Sequence, residues 1–127
     1  MTDGSGLAAG ERLTPAGLAG VLRLIAGAAH PVLHDIVTAL PVAAWSGTLA
    51  DRYLPGSRSA SGAGVVRAKT GTLTGVSALA GFVHDRDGRP LVFAMIADQL
   101  APGAAATVDA EAALDRVAAT LATCGCR

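Results

Sequence analysis

Two apolar segments joined by a short turn constrain the fold of this chain more than any other feature. Residues 76–84 and 91–97 have the length and the Val- and Phe-containing composition of strands, and DRDG at 85–88 ends in a glycine that can take positive φ. The pattern predicts an antiparallel hairpin. Both segments are apolar on both faces, so helices or further chain must cover each side of the sheet.

Helical periodicity before and after the hairpin predicts the elements that cover it. Residues 14–27 begin with Thr14 as an N-cap and Pro15 at the first helical position, and residues 31–40 and 107–123 repeat the helical spacing. The side chains predicted to be buried are Leu18, Val21, Leu22 and Ile25 in the first helix, Leu33, Ile36, Val37 and Leu40 in the second, and Val108, Leu114, Val117, Ala118 and Leu121 in the third.

The segment between the second helix and the hairpin is less regular. Thr48 followed by Asp51 has the pattern of a capping box for one or two helical turns, a Gly- and Ser-rich loop runs to residue 64, and residues 65–68 predict a short strand. The sequence therefore predicts the α/β (α+β) class, an antiparallel sheet flanked by helices, in one domain over residues 1–127.

Composition excludes several functions. The chain is 51% hydrophobic and has ten acidic and ten basic residues with no basic run, which excludes a nucleic-acid surface. Polar residues or Gly interrupt every apolar stretch before the roughly 18 residues that a membrane span needs. Asp3 and Glu11 stand where a signal peptide requires basic residues and then an apolar run, so we expect no export signal.

The two cysteines lie at the end of the sequence. Cys124 and Cys126 form a C-x-C pair, too close for an easy disulfide and without the other ligands of a zinc site. We interpret residues 124–127 as a tail, with an intermolecular or redox role as the alternative.

Lys69 is the only lysine, since nine of the ten basic residues are arginine. An ammonium differs from a guanidinium in being compact and able to lose its proton, so a chemical role is worth testing against that of a surface lysine. The sequence Lys69-Thr70-Gly71-Thr72 lies where the predicted first strand ends. A glycine leaves the strand edge bare for an added peptide strand, and the hydroxyls and the ammonium suit a peptide carboxylate.

Three stretches together resemble the serine D-Ala-D-Ala carboxypeptidases, the low-molecular-mass penicillin-binding proteins of class C. They are DGSGL at 3–7 followed by LTP at 13–15, LPVAAWSGTL at 40–49, and RAKTGTLTGVSALAGFV at 67–83, which contains the K-T-G motif. The resemblance implies the C-terminal portion of a beta-lactamase/transpeptidase-like domain. It implies cleavage of peptidoglycan stem peptides ending in D-Ala-D-Ala through an acyl-serine, inhibition by beta-lactams, no cofactor or metal, and an extracytoplasmic location in the periplasm or cell wall.

The resemblance also assigns roles to residues of the motif. Lys69 is the catalytic lysine that holds positive potential over the substrate and helps proton transfer. Thr70, Gly71 and Thr72 bind the substrate, the two hydroxyls at its terminal carboxylate. The backbone N–H of Thr72 is one of two oxyanion-hole donors.

The nucleophile of that family is not in these 127 residues. Its S-x-x-K motif would place a serine at Val66, and its S-x-N motif needs an asparagine, which the sequence lacks. We therefore expect a C-terminal piece of a larger protein, whose N-terminal part is its missing partner, or a start codon placed too far downstream. The alternative is a truncated, non-catalytic binding or structural module.

Other motifs fail on spacing. A P-loop needs glycine at 63 and 68, where alanine stands, and GSGLAAG near the start lacks the spacing of a dinucleotide fingerprint and a strand before it. Asp3 and Ser5 are interpreted as turn residues. The side chains interpreted as capping or solvated rather than catalytic are His30, His34, His84 and Asp85.

Overall fold

The computed structural model describes residues 5–7 and 10–125. Its helices are α1 (Pro15–Ala26), α2 (His34–Ala39) and α3 (Ala104–Thr123), and its strands are β1 (Arg67–Leu73), β2 (Val76–His84) and β3 (Pro90–Ala97). Short 3-10 turns at Pro31–Leu33, Gly47–Leu49 and Ala60–Gly62 lie between them.

The three strands form one antiparallel sheet in the order β1-β2-β3. The predicted hairpin is confirmed, with Phe82 opposite Val92 and Gly88 at a φ of 78° in the turn. Asp85 is not the solvated turn residue that the sequence suggests, because it is only 5% exposed. Its carboxylate accepts hydrogen bonds from the backbone amides of Asp87 and Arg89. The Arg89 amide, chief among these contacts, lowers the pKa of Asp85.

Both faces of the sheet are covered, as the sequence predicts. Side chains alternate along a strand, so Leu79 and Val83 of β2 face α3 while Phe82 faces α1. The α3 face forms the larger core cluster, whose buried members include Val66, Ala68, Phe93, Leu114 and Ala118. On the opposite face, Phe82 packs with Leu22 and Ile25 of α1.

The helices begin and end close to the predicted residues. Thr14 caps α1 by accepting a hydrogen bond from the Gly17 amide at 3.1 Å, as the sequence predicts. The predicted second helix divides into a 3-10 turn and the single short helix α2, whose Ile36 is exposed. The helix α3 starts at Ala104, three residues before its predicted start.

Three predicted core positions are wrong in the longer helices. Val21, Val108 and Val117 are 56%, 61% and 50% exposed. The helix α3 instead buries Ala110, Ala118 and Ala119, whose small side chains let the helix lie close to its neighbours. A valine is more apolar than an alanine, but helix position relative to the sheet decides which of them is buried.

A buried tyrosine lies between the irregular segment and α3. Tyr53 is 2% exposed, and burial together with the neighbouring Asp115 carboxylate raises the pKa of its hydroxyl. The hydroxyl nevertheless has no partner in hydrogen-bonding geometry among the described residues, and both Asp115 oxygens accept from Arg52.

We expect Tyr53→Phe to raise the free energy of unfolding by about 1 kcal/mol, because it removes a buried, unpaired hydroxyl and keeps the ring. Thermal denaturation followed by circular dichroism measures the change, with Tyr53→Leu as the control that also removes the ring contacts. A Tyr53→Phe variant less stable than the parent would contradict this account of the hydroxyl.

No single helix among the described residues is long and apolar enough to cross a membrane. The segments Pro15–Ala26 and Pro31–Ala39 reach that length and composition only together, with a bend of 111° between them. At the other end of the chain Cys124 is disulfide-bonded, which the C-x-C spacing argues against, and Cys126 lies outside the described residues.

Candidate functional site

The K-T-G motif lies inside a strand rather than at the end of one. The sequence predicts a strand over residues 65–68, whereas β1 runs from Arg67 to Leu73 and pairs with β2 along its whole length. The cause is a second tight turn after Leu73, where Gly75 has a φ of 76° and returns the chain directly into β2. Lys69, Thr70 and Thr72 are therefore held by a continuous ladder of hydrogen bonds.

One edge of β1 is open next to this motif. The Ala68 amide points away from β2 and donates to the carbonyl of Pro41 at 2.9 Å. Backbone groups alternate in direction along an antiparallel strand, so the amides of Thr70 and Thr72 point to the same side. Neither amide has a partner in the part of the chain that the structure describes. We call the outer side of β1 from Lys69 to Thr72 the open edge.

The side chain of Lys69 lies on one face of the sheet, and those of the two threonines lie on the other. Lys69 reaches the open edge from its own face. It pairs with Ala80 in the register, whereas Thr70 pairs with Leu79 on the α3 side. The Lys69 side chain is exposed, and its Nζ donates to the Thr70 carbonyl oxygen at 2.6 Å. The ammonium therefore lies beside the backbone groups that point outward from β1.

The two threonine hydroxyls each donate to a residue distant in sequence. Thr70 Oγ1 donates to Thr48 Oγ1 at 2.9 Å, and Thr72 Oγ1 donates to Glu111 Oε1 at 3.0 Å. Sequence reasoning missed both partners. It assigned Thr48 to a helix cap, but the 3-10 turn there is preceded by Ser46 and Thr48 lies within it. No local pattern marks either residue, because the contacts span 22 and 39 positions.

An ion pair fixes the segment that carries Thr48 against α3. Arg52 Nε and Nη2 donate to the two Asp115 oxygens at 2.8 and 2.6 Å, and these side chains are 16% and 6% exposed. Burial acts to lower the pKa of Arg52, but the hydrogen bond and charge of Asp115 outweigh it and raise that pKa. Arg52 Nη2 also donates to the Glu111 carbonyl at 3.3 Å. One guanidinium thus joins the segment that carries Thr48 to the part of α3 that carries Glu111.

The structure has room for a side chain at Gly71. A Cβ added there would meet only the Ala78 side chain, at an ordinary 3.5 Å. Packing within the chain therefore does not require a glycine between the two threonines.

Other predicted residues lie away from the open edge or hold local structure. Ser5 Oγ accepts from the Leu7 amide at 3.0 Å, which agrees with a turn, and Asp3 lies outside the described residues. A cavity of ≈ 590 Å³ lies beside Leu40, Trp45 and Arg67 and is not lined by the motif. Within residues 5–7 and 10–125, no three His, Cys, Asp or Glu side chains are grouped to hold a metal ion.

The sequence and the structure both match known carboxypeptidases. The chain is 44% identical over 126 residues to carboxypeptidase DacB of Mycolicibacterium smegmatis, and the match covers 99% of this chain and 26% of that protein. It is 41% identical over 101 residues to a D-alanyl-D-alanine carboxypeptidase of Actinomadura sp., covering 76% of this chain and 18% of that one.

Solved structures give the same result. Penicillin binding protein 4 (dacB) of Haemophilus influenzae superposes with a TM-score of 0.79 at 25% identity, covering 98% of this chain and 27% of that protein. The same protein complexed with a novel beta-lactam matches with a TM-score of 0.72 at 28% identity, covering 91% of this chain and 26% of that one.

The fold and the K-T-G strand are similar to those of the penicillin-binding protein family. Its residues 1–121 match the family model for peptidase S13, and the chain belongs to that D-Ala-D-Ala carboxypeptidase 3 (S13) family. The predicted resemblance is confirmed. The chain spans about a quarter of the length of the curated relatives that match along nearly all of it.

Proposed function

We propose that this chain supplies the K-T-G edge of a serine-type D-alanyl-D-alanine carboxypeptidase that acts on peptidoglycan stem peptides. The open edge of β1 carries this proposal, because it combines two unpaired strand amides with the Lys69 ammonium and two threonine hydroxyls. An extended peptide can pair with such an edge as an added strand. The complete protein then works outside the cytoplasmic membrane, where its cell-wall substrate lies.

Each group at the open edge has a distinct task. The Thr72 N–H donates to the carbonyl oxygen that becomes negative when the D-Ala-D-Ala bond is attacked, a contribution of roughly 3 kcal/mol in hydrolases of this kind. The hydroxyls of Thr70 and Thr72 hold the terminal carboxylate of the peptide. Lys69 adds a positive charge at the same edge of β1 and assists proton transfer.

The bond-breaking step needs groups that this sequence does not contain. A serine attacks the carbonyl, the terminal D-Ala leaves, and water then hydrolyses the acyl-serine. The chain spans 26% of its M. smegmatis relative, so we place the S-x-x-K and S-x-N motifs in the remaining part of such a protein. Beta-lactams acylate the same serine in this proposal.

We expect the purified 127-residue chain to form no covalent adduct with fluorescent penicillin, because the ester that holds this label needs the missing serine. Gel fluorescence and intact mass measure the adduct, with a full-length S13 carboxypeptidase as the positive control. A stoichiometric adduct would show that a serine assigned here to structure is a nucleophile. The residues to test would be Ser5, Ser46, Ser57, Ser59, Ser61 and Ser77.

Weak, reversible binding of a D-Ala-D-Ala peptide does not need the nucleophile. Measuring this binding tests the open edge directly. We expect N-acetyl-D-Ala-D-Ala to shift the amide NMR signals of Thr70, Gly71 and Thr72 at millimolar concentration, since a few polar contacts offset little of the cost of association. Lys69→Met should weaken the binding. Arg67→Met removes a positive charge from the same face of β1 and should not. Equal loss in both variants would mean that the peptide senses net charge rather than the ammonium at the open edge.

The alternative of a free-standing, non-catalytic module is separated from this proposal by the genomic DNA upstream of the first codon. An in-frame segment with S-x-x-K and S-x-N supports the enzyme. Unrelated sequence supports the module.

A further inference from the structure

We infer that Glu111 on α3 sets the affinity of the open edge for a carboxylate, because its own carboxylate holds the Thr72 hydroxyl in the ligand-free protein. This inference rests on the proposed function and adds a residue to it. The observation behind it is the hydrogen bond of 3.0 Å from Thr72 Oγ1 to Glu111 Oε1, which joins β1 to the second turn of α3.

The donor capacity of a hydroxyl makes this contact consequential. A threonine side chain has a single hydrogen to donate. While Thr72 donates it to Glu111, the hydroxyl presents only lone pairs to a ligand, and an ionised carboxylate has no hydrogen to offer them. A peptide carboxylate must therefore replace Glu111 as the acceptor, and two carboxylates that compete for one hydrogen repel each other.

The neighbouring threonine has no charged competitor. Thr70 donates to Thr48 Oγ1, a neutral group that still has its own hydrogen to pass to a ligand. Among the described residues, Glu111 is the one acidic side chain that accepts from either threonine of the motif. The difference between the two hydroxyls assigns the competition to Thr72 alone.

Glu111 is also held where it can compete. Arg52 binds its backbone carbonyl and fixes this part of α3. The same guanidinium donates to both oxygens of Asp115, and the described contacts include no ion pair between Arg52 and the Glu111 side chain. The Glu111 carboxylate therefore accepts from Thr72 at the open edge, while the charge of Arg52 acts on it through space.

Four proteins test the inference: the parent chain, Glu111→Gln, Glu111→Ala and the control Asp109→Asn. Asp109 is an exposed carboxylate two positions away on the same helix, hence on another side of it. The ligands are N-acetyl-D-Ala-D-Ala with a free carboxylate and the same dipeptide with a C-terminal amide. Amide NMR titration gives each dissociation constant, and thermal denaturation verifies that each variant is folded.

We expect both Glu111 variants to bind the free acid about three- to tenfold more tightly than the parent, with binding of the amide changed less than about twofold. Asp109→Asn should change neither. Tighter binding by Glu111→Gln alone would overturn the inference, because the new amide donors would explain the gain in affinity. Equal tightening by Asp109→Asn would also overturn it, because net charge alone would then explain the effect.

The test also separates the inference from the proposed function. Suppose that the parent binds the free acid and that both Glu111 variants bind it equally well or more weakly. That result overturns the role of Glu111 but still supports a carboxylate site at the open edge. Failure of all four proteins to bind the free acid overturns the site and the inference together. Binding by the Glu111 variants alone supports both.

Discussion

Gly81→Ala should leave little of the folded protein, with a loss of at least about 3 kcal/mol in the free energy of unfolding. A Cβ at position 81 would clash with the Arg67 carbonyl oxygen and would lie 2.6 Å from the Ala68 Cα. Both contacts are with the backbone of β1, which cannot rotate away as a side chain can. Separating β1 from β2 would also disturb the open edge.

Gly71→Ala is the matched control, because it adds the same methyl group to the strand paired with β2. Its Cβ would lie 3.5 Å from the Ala78 side chain, an ordinary contact, so we expect a change below about 1 kcal/mol. Urea denaturation followed by circular dichroism measures both variants. Equal stability of the two would show that β1 and β2 lie farther apart than in this structure.

Asp115→Ala should cost about 3 to 5 kcal/mol, because it leaves the Arg52 guanidinium mostly buried with no carboxylate to accept its hydrogen bonds. The Arg52 side chain is only 16% exposed, and no other ion pair of Arg52 exists among the described contacts. The double variant Arg52→Met/Asp115→Leu should recover most of this loss, since it removes both charges and fills similar volume.

A second arginine–aspartate pair provides the control for the buried one. Arg89 and Asp87 approach to 3.5 Å with 45% and 40% of their side chains exposed, and Asp87→Ala should cost less than about 1 kcal/mol. The same urea denaturation compares the two alanine variants. Similar losses would mean that water reaches the Arg52–Asp115 pair as freely as the exposed one.

The local elements of this chain were predictable because their signals are local. The apolar segments and the DRDG turn predict β2 and β3, and Thr14 with Pro15 predicts the start of α1. The K-T-G motif with its flanking residues indicates the family, which the S13 match confirms. Strand and helix periods, cap preferences and turn glycines are properties of a few neighbouring residues, so the sequence expresses them directly.

The sequence was less informative wherever a residue has two acceptable environments. Val117 and Ala118 both suit a helix interior, and only the placement of α3 on the sheet buries the alanine and exposes the valine. Asp85 has the composition of a solvated turn, yet its carboxylate can also satisfy the amides of that turn and become buried. Packing makes the choice, because it depends on which elements meet.

The sequence by itself determined the residue types at the candidate site, Lys69, Thr70, Gly71 and Thr72, and their order along one strand. Only the tertiary structure decided their partners. It places Thr48 on one hydroxyl and Glu111 on the other, through contacts that span 22 and 39 positions. Such contacts are set by the packing of α3 and of the segment before β1 against the sheet, and no short-range pattern encodes a distance between residues so far apart in the chain.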